Sequence, residues 1–105
     1  MHFDIYWASL NPVIGREQAG HRPVLIISND IENQMDIITV IPLTSRKKGR
    51  KIYPNEVLIT LNGKEAIILC HQIRTISKKR VDTKISTLNT SLRSKVMDVL
   101  CMRFY

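Results

Sequence analysis

The segment GREQAGHRP, residues 15–23, gathers the side chains of this chain that are best suited to chemistry. It carries Glu17, His21 and Arg22 between two apolar stretches, although a plain connection between strands needs only polarity and turn residues. A carboxylate and an imidazole can transfer protons, and a guanidinium offers a planar fork of donors to a phosphate. The segment therefore indicates a site for a phosphate-bearing ligand.

A hydroxyl group completes such a site. Thr44 and Ser45 follow an apolar run that we expect to pair with the strand after Arg22, so a hydroxyl can approach the guanidinium. Pro23 confines Arg22 to extended backbone geometry and partly fixes its direction. The alternatives remain open: solvated loop charges at Arg16 and Glu17, a surface role for His21, and a turn role for Thr44.

The elements that position these residues follow from hydrophobic periodicity. Period-2 or continuous apolar runs predict strands over 3–10, 23–28, 35–43, 56–60 and 66–70. Residues 61–63 predict a hairpin turn because Asn62 and Gly63 tolerate positive φ. Residues 44–54 predict a loop. After Arg80 the spacing of the apolar residues changes to a period close to the 3.6 residues of a helix. The sequence therefore predicts a curled antiparallel sheet of about five strands, closed by one helix.

The C-terminal helix should be amphipathic. One face carries the apolar residues Leu92, Val96, Val99, Leu100 and Phe104. Asn89 stands just before this run and is a plausible N-cap residue.

The charge balance favours a polyanionic partner. Lys and Arg total 16 against 9 Asp and Glu, giving a formal net charge of +7. A basic run in 44–54 can follow a nucleic-acid backbone, or it is a solubilising loop. His71, Gln72 and Arg74 form a second polar cluster, in which Arg74 either contacts phosphate or pairs with an acid such as Glu56 or Asp36. Lys78, Lys79 and Arg80 indicate a solvated face.

The remaining composition sets limits on class. The length of 105 residues predicts one domain, residues 1–105. Cys70 and Cys101 lie in different elements without a CxxC motif, which favours a reducing, cytoplasmic compartment. No apolar run approaches the roughly 20 residues of a membrane span, and the three histidines lack metal-ligand spacing. We expect no metal, no cofactor and no membrane association.

Three stretches then occur in a familiar order. DIYWASLNPVIGREQAGHRPVLIISND, PLTS and LCHQIRTISKKR together resemble the MazF/PemK family of toxin endoribonucleases over nearly the whole chain. The resemblance implies an SH3-like small barrel with a C-terminal helix, a homodimer, and metal-independent cleavage of single-stranded RNA. It also implies a cognate antitoxin whose acidic, partly disordered tail occupies the RNA groove.

The resemblance also implies roles for particular residues. Arg22 corresponds to the family's catalytic arginine, Thr44 to the threonine that closes strand three, and Glu17 to a glutamate that serves in catalysis in some members. We expect Arg22 to stabilise charge, Thr44 to contact a phosphoryl oxygen and Glu17 to act as base. The expected RNA-binding residues are Asn11, Arg16, Gln18, His21, Ser45, Lys47, Lys48, Arg50, Gln72 and Arg74.

The chain departs from the family pattern in three places. The chain begins HFDIYW, where the family usually has a basic residue and a glycine before the aspartate. Arg16 stands where serine is common, and His71 stands where many members have an acid before QIRT. Two other functions stay open. A noncatalytic gyrase poison of the same fold would depend on its terminal helix instead of Arg22 and Thr44. A basic binding module would need stacking aromatics, but aromatic residues make up only 6% of the chain.

Overall fold

The computed structural model describes residues 1–11 and 20–105. Its strands are β1 (Asp4–Ser9), β2 (His21–Ile26), β3 (Ile37–Ser45), β4 (Glu56–Leu61), β5 (Lys64–Leu69), β6 (Arg74–Ser77) and β7 (Val81–Thr87). Helix α1 spans Thr90–Arg103. Short 3₁₀ helices occupy Glu32–Gln34, Cys70–Gln72 and Lys78–Arg80.

All strand pairs are antiparallel, and β3 is shared by two parts of the sheet. Along the sheet the strands run β4-β5-β3-β2-β1-β7, and β6 pairs with β3 outside that path. The first six residues of β3 pair with β2 and β6, whereas its last three residues pair with β5. The predicted class, a mainly antiparallel small barrel with a C-terminal helix, is confirmed.

Two of the strands in the described part of the chain were not predicted. β6 is only four residues long and buries a single side chain, Ile76. β7 buries none of its residues fully, and it pairs with β1 through register shifts, so its sequence VDTKIST shows neither an apolar run nor clean alternation. Both strands form because they pair with neighbouring strands, although their sequences lack the hydrophobic pattern of a strand.

Side-chain alternation along β2 and β3 builds a core on each face of the sheet. Leu25, Ile41 and Leu43 join the core that β4, β5 and α1 cover. Val24 and Val40 point the other way, into a second core with residues of β1 and β6. These strands are buried on both faces, which explains their continuous apolar sequences.

The boundaries of β2 and β3 differ from prediction in a way that matters for the site. β2 begins at His21 and not at residue 23, so Arg22 is a strand residue that pairs with Ala8. β3 continues through Pro42 to Ser45, with Val24–Pro42 as the last pair to β2. A proline is tolerated there because the strand changes partners at that point, from β2 to β5.

The hairpin between β4 and β5 forms as predicted. Leu61 pairs with Lys64, which leaves Asn62 and Gly63 as a two-residue turn, with φ angles of 49° and 79°. Positive φ at both positions matches the right-handed twist of the flanking strands.

Helix α1 confirms most of the predicted apolar face. Val96 and Leu100 are buried, and Leu92 and Val99 pack partly against the first core. The placement of Phe104 on this face was wrong, since that residue lies beyond the end of α1 and is 72% exposed. Asn89 is the N-cap, and its Oδ1 accepts a hydrogen bond of 2.9 Å from the Ser91 backbone N–H.

We expect Asn89→Ala to lower the free energy of unfolding by about 1 kcal/mol, because the substitution removes an acceptor for the first turn of α1. Urea unfolding followed by circular dichroism measures this, and Asn89→Ser should keep most of the stability. An unchanged unfolding midpoint in Asn89→Ala would contradict a stabilising role for the cap.

Candidate active site

An open cleft of about 380 Å³ lies where the ends of β1, β2 and β3 meet the β4–β5 hairpin. Arg22 and Thr44 both line it, as do His21 and Ser45. The expectation that the Thr44 hydroxyl lies near Arg22 agrees with this lining, and their catalytic roles stay predictions. The lining also includes Trp7 of β1, Lys64 of the hairpin and Ile85 of β7.

The β2–β3 register explains how Arg22 and Thr44 come together. The last β2–β3 pair is Val24 with Pro42, so Arg22 and Thr44 each lie two residues beyond the same end of that ladder, and Thr44 itself pairs with Ile67 of β5. Arg22 is exposed and Thr44 is half-buried. A phosphate that enters the cleft can therefore contact the Arg22 guanidinium and the Thr44 hydroxyl, both of which are carried by strands.

His21 is held by two contacts that the sequence did not predict. Its ring stacks on the Trp7 indole at 5.1 Å between centroids and 16° between planes. Its Nε2 lies 2.7 Å from Oδ2 of Asp82 in β7. The only sequence signal for Trp7 was its place in β1 beside the expected site, and none pointed to Asp82, because β7 itself was missed.

The catalytic and binding candidates between Asn11 and Gly20 have mixed outcomes. Glu17, Arg16 and Gln18 lie outside the described residues, so their predicted roles stay predictions. Asn11 accepts a hydrogen bond of 3.0 Å at its Oδ1 from the Gly20 backbone N–H. Arg80 donates to the Asn11 carbonyl. The Asn11 side chain therefore links residue 11 to residue 20, and Arg80 binds the backbone at residue 11, so Arg80 is not simply a solvated charge.

The basic run after β3 divides into two groups. Lys47 and Lys48 are exposed and remain available to a polyanion. Arg46 pairs with Glu65 at 3.2 Å across to β5. The remaining arginine of the run, Arg50, lines a different surface pocket with Tyr53 and Glu56 and is not part of the cleft lining.

Arg50 makes a bidentate ion pair with Glu56, at 2.8 and 2.9 Å. The Glu56 side chain is only 3% exposed, and its Oε1 also accepts from the Tyr53 backbone N–H at 3.1 Å. The Arg50 hydrogen bonds hold the pKa of the Glu56 carboxyl below its ordinary value, with the Tyr53 N–H acting in the same direction against the effect of burial. Arg50 therefore has a structural contact that the sequence did not predict, and its expected role in RNA binding stays a prediction.

The second polar cluster lies apart from the cleft. Gln72 ends a 3₁₀ helix, and Arg74 begins β6, where it pairs in the ladder with Val40. Neither lines the cleft that contains Arg22. Glu56, one of the two acids considered as partners of Arg74, makes an ion pair with Arg50. The predicted roles of Gln72 and Arg74 stay predictions.

Two further properties concern the described part of the chain. In residues 1–11 and 20–105, no three His, Cys, Asp or Glu side chains gather as a metal site would require. No helix among these residues is long and apolar enough to cross a membrane.

Comparison with known proteins identifies the family. The family model of PemK-like, MazF-like toxins of type II toxin–antitoxin systems matches residues 1–104. The chain belongs to this family. It is 37% identical over 101 residues to Endoribonuclease EndoA of Bacillus subtilis, and the match covers 92% of this chain and 87% of that protein.

Solved structures have the same fold. MazF from Deinococcus radiodurans superposes with a TM-score of 0.83 at 24% identity, covering 98% of this chain and 94% of that one. An endoribonuclease in complex with its cognate antitoxin, from a mycobacterial species, gives a TM-score of 0.80 at 18% identity, covering 99% and 93%. At these identities the likeness establishes the fold.

Proposed function

We propose that this chain is a toxin endoribonuclease that cleaves single-stranded RNA without a metal ion. The observation that carries the proposal is the arrangement of Arg22 and Thr44, which line one open cleft just beyond the last β2–β3 pair, Val24 with Pro42. Homology to a protein named as an endoribonuclease supports the same activity. The gyrase poison and the simple binding module offer no reason for this pair to converge.

The reaction uses the RNA's own nucleophile. The ribose 2′-OH loses its proton to a base, and its oxygen attacks the adjacent phosphorus. The bond from phosphorus to the 5′-oxygen breaks, and that oxygen takes up a proton from water, while the base later releases its own proton to solvent. The products are a 2′,3′-cyclic phosphate and a 5′-OH end.

The site residues divide this chemistry between them. A guanidinium is a cation with several N–H donors, so the role of Arg22 is to stabilise the extra negative charge on the phosphoryl oxygens and to assist the leaving oxygen. Thr44 donates its hydroxyl hydrogen to a phosphoryl oxygen. Glu17 is proposed as the base, on the strength of the family resemblance alone. These assignments need no metal and no cofactor.

The RNA strand reaches this cleft along a basic surface. Lys47 and Lys48 are exposed in the loop after β3, and Lys64 is exposed at the cleft itself. We propose that these lysines track the backbone without reading sequence. Cleavage of messenger RNA in the cytoplasm would then stop translation and growth.

We further propose a cognate antitoxin and a second copy of this chain as protein partners. A formal net charge of +7 favours an acidic antitoxin tail that competes with RNA for the cleft. Ile31, Met35 and Ile37 are exposed apolar residues close together in sequence, and burying them in a homodimer would remove them from water.

End mapping tests the proposed activity. The purified chain is incubated with a long single-stranded RNA in excess EDTA, and with the same sequence made with 2′-deoxyribose. We expect cuts in the RNA with 2′,3′-cyclic phosphate and 5′-OH ends, and none in the 2′-deoxy strand. Retained but uncut RNA would favour a binding module, and blocked gyrase without RNA binding would favour a poison. Either result would overturn the proposal.

A further inference from the structure

The cleft that holds Arg22 also presents an aromatic surface. Trp7 is 37% exposed and lines the cleft, although Ile5, on the same face of β1, is buried. An exposed indole alone is unremarkable on a protein surface. The residues around Trp7 suggest a binding role, because they fix the plane of its ring in the absence of a ligand.

His21 and Asp82 provide this order. The His21 ring lies nearly parallel to the indole, at 5.1 Å and 16°, and its Nε2 contacts Asp82 at 2.7 Å. Trp7 and His21 are therefore held as one stacked unit. Such a unit gives a ligand a flat, rigid surface and loses little side-chain entropy when the ligand binds.

A β-bulge places Asp82 where it can hold His21. Tyr6 pairs with Lys84 and Ala8 pairs with Val81, so two residues of β7 lie opposite the single residue Trp7. Those two residues are Asp82 and Thr83. A bulge of this kind bends the strand and redirects a side chain, and bulges are frequent beside active sites.

The aromatic pair is next to the proposed phosphate site. Trp7 pairs with Pro23 across β1 and β2, and Pro23 follows Arg22 directly. The same cleft is lined by apolar Leu43 and Ala66 and by polar Asn62 and Lys64. This combination of a flat aromatic surface, apolar contacts and a neighbouring cation fits a nucleotide, with its base on the indole and its phosphate on the guanidinium.

We propose that Trp7, stacked on His21 and held in place through Asp82, binds an unpaired nucleobase of the RNA strand adjacent to the phosphodiester at Arg22. The inference rests on the proposed function, since it names the part of the RNA that this cleft receives. Stacking tolerates every base, so the subsite supplies affinity and positions the strand.

Trp7 is the only tryptophan in the chain, so its fluorescence reports on this subsite alone. The probe is a mixed-sequence 12-nucleotide single strand made wholly of 2′-O-methyl ribonucleotides, which has no 2′-OH and cannot be cleaved. The matched control is an abasic strand of the same length and sugar. We expect saturable quenching by the first strand and little by the second.

Activity measurements complete the test. Trp7→Leu should raise KM for RNA about tenfold and leave kcat within about threefold, whereas Trp7→Phe should stay close to the native protein in both. Phe104→Leu removes an exposed aromatic far along the chain on the C-terminal side of α1 and should change neither. Thermal unfolding of each variant verifies that the fold is intact.

The outcomes separate this inference from the proposed function. Absence of RNA cleavage by the native chain would reject the proposed function, while base-dependent quenching would still support the stacking site. Native cleavage with an unchanged KM in Trp7→Leu would reject the stacking site alone. Equal quenching by the abasic strand would also reject it, as would an emission spectrum that changes only with protein concentration, which would place Trp7 between two copies of the chain.

Discussion

Arg22→Ala is expected to reduce kcat/KM for RNA cleavage by about 100- to 1000-fold, the loss typical when one donor to a developing oxyanion is removed. In the proposed mechanism, Arg22 brings a positive charge and two parallel donors to the phosphoryl oxygens as they gain charge. Arg22 is an exposed strand residue, so the fold should survive. Initial cleavage rates of a fluorogenic RNA, together with circular dichroism, measure both properties.

Two further variants identify the cause of that loss. Arg22→Lys keeps the charge without the planar fork, and should recover only a small part of the activity. Lys64→Ala removes another exposed cation from the same cleft and should change kcat/KM only a few-fold, through weaker attraction of the RNA. If Arg22→Ala keeps more than a tenth of native activity, or if Lys64→Ala loses as much, Arg22 is not the catalytic group.

The sequence was most informative where local patterns are strong. Continuous apolar runs located β2 and β3, the Asn62–Gly63 pair located the hairpin turn, and Asn89 marked the start of α1. Each depends on residues that are close in the chain, so nothing about the rest of the fold was needed. The meeting of Arg22 and Thr44 followed from those strands being antiparallel neighbours.

Features that depend on distant pairing were not visible. β7 is an exposed strand whose pairing with β1 has two register shifts, and no spacing in VDTKIST indicates a bulge opposite Trp7. The contact between His21 and Asp82 joins residues 61 positions apart. Likewise, five basic residues in one loop gave no hint that Arg50 is bound to a buried acid. Sequence patterns thus located the catalytic candidates but not the contacts that hold them.

Glu56→Gln is the substitution for which we expect the largest loss of stability, about 2 kcal/mol in the free energy of unfolding. Glu56 is buried and accepts three hydrogen bonds, two from Arg50 and one from Tyr53. An amide has only one oxygen, and its NH₂ group would face the Arg50 donors. Arg50 and Tyr53 belong to the loop between β3 and β4, so the same change should loosen that loop. Denaturant unfolding at pH 7 measures the loss.

The pH dependence gives this prediction its sharpest test. The pKa of Glu56 is lowered in the folded protein, so its ionised form adds stability at neutral pH. That contribution is complete above the pKa of an unfolded glutamate, begins to shrink below about pH 5, and is lost as pH falls through the folded pKa. The difference in stability between native protein and Glu56→Gln should therefore narrow as pH falls from 7 to 3.

Glu65→Gln is the matched control, because it breaks the exposed ion pair with Arg46 in the same loop. A surface pair contributes at most about 1 kcal/mol, so this variant should stay close to the native protein. Equal losses of unfolding free energy in the two variants would show that the buried Glu56 pair contributes no more to stability than an exposed pair. A stability difference for Glu56→Gln that stays constant between pH 7 and pH 3 would contradict the ionised, Arg50-bound carboxylate as its cause.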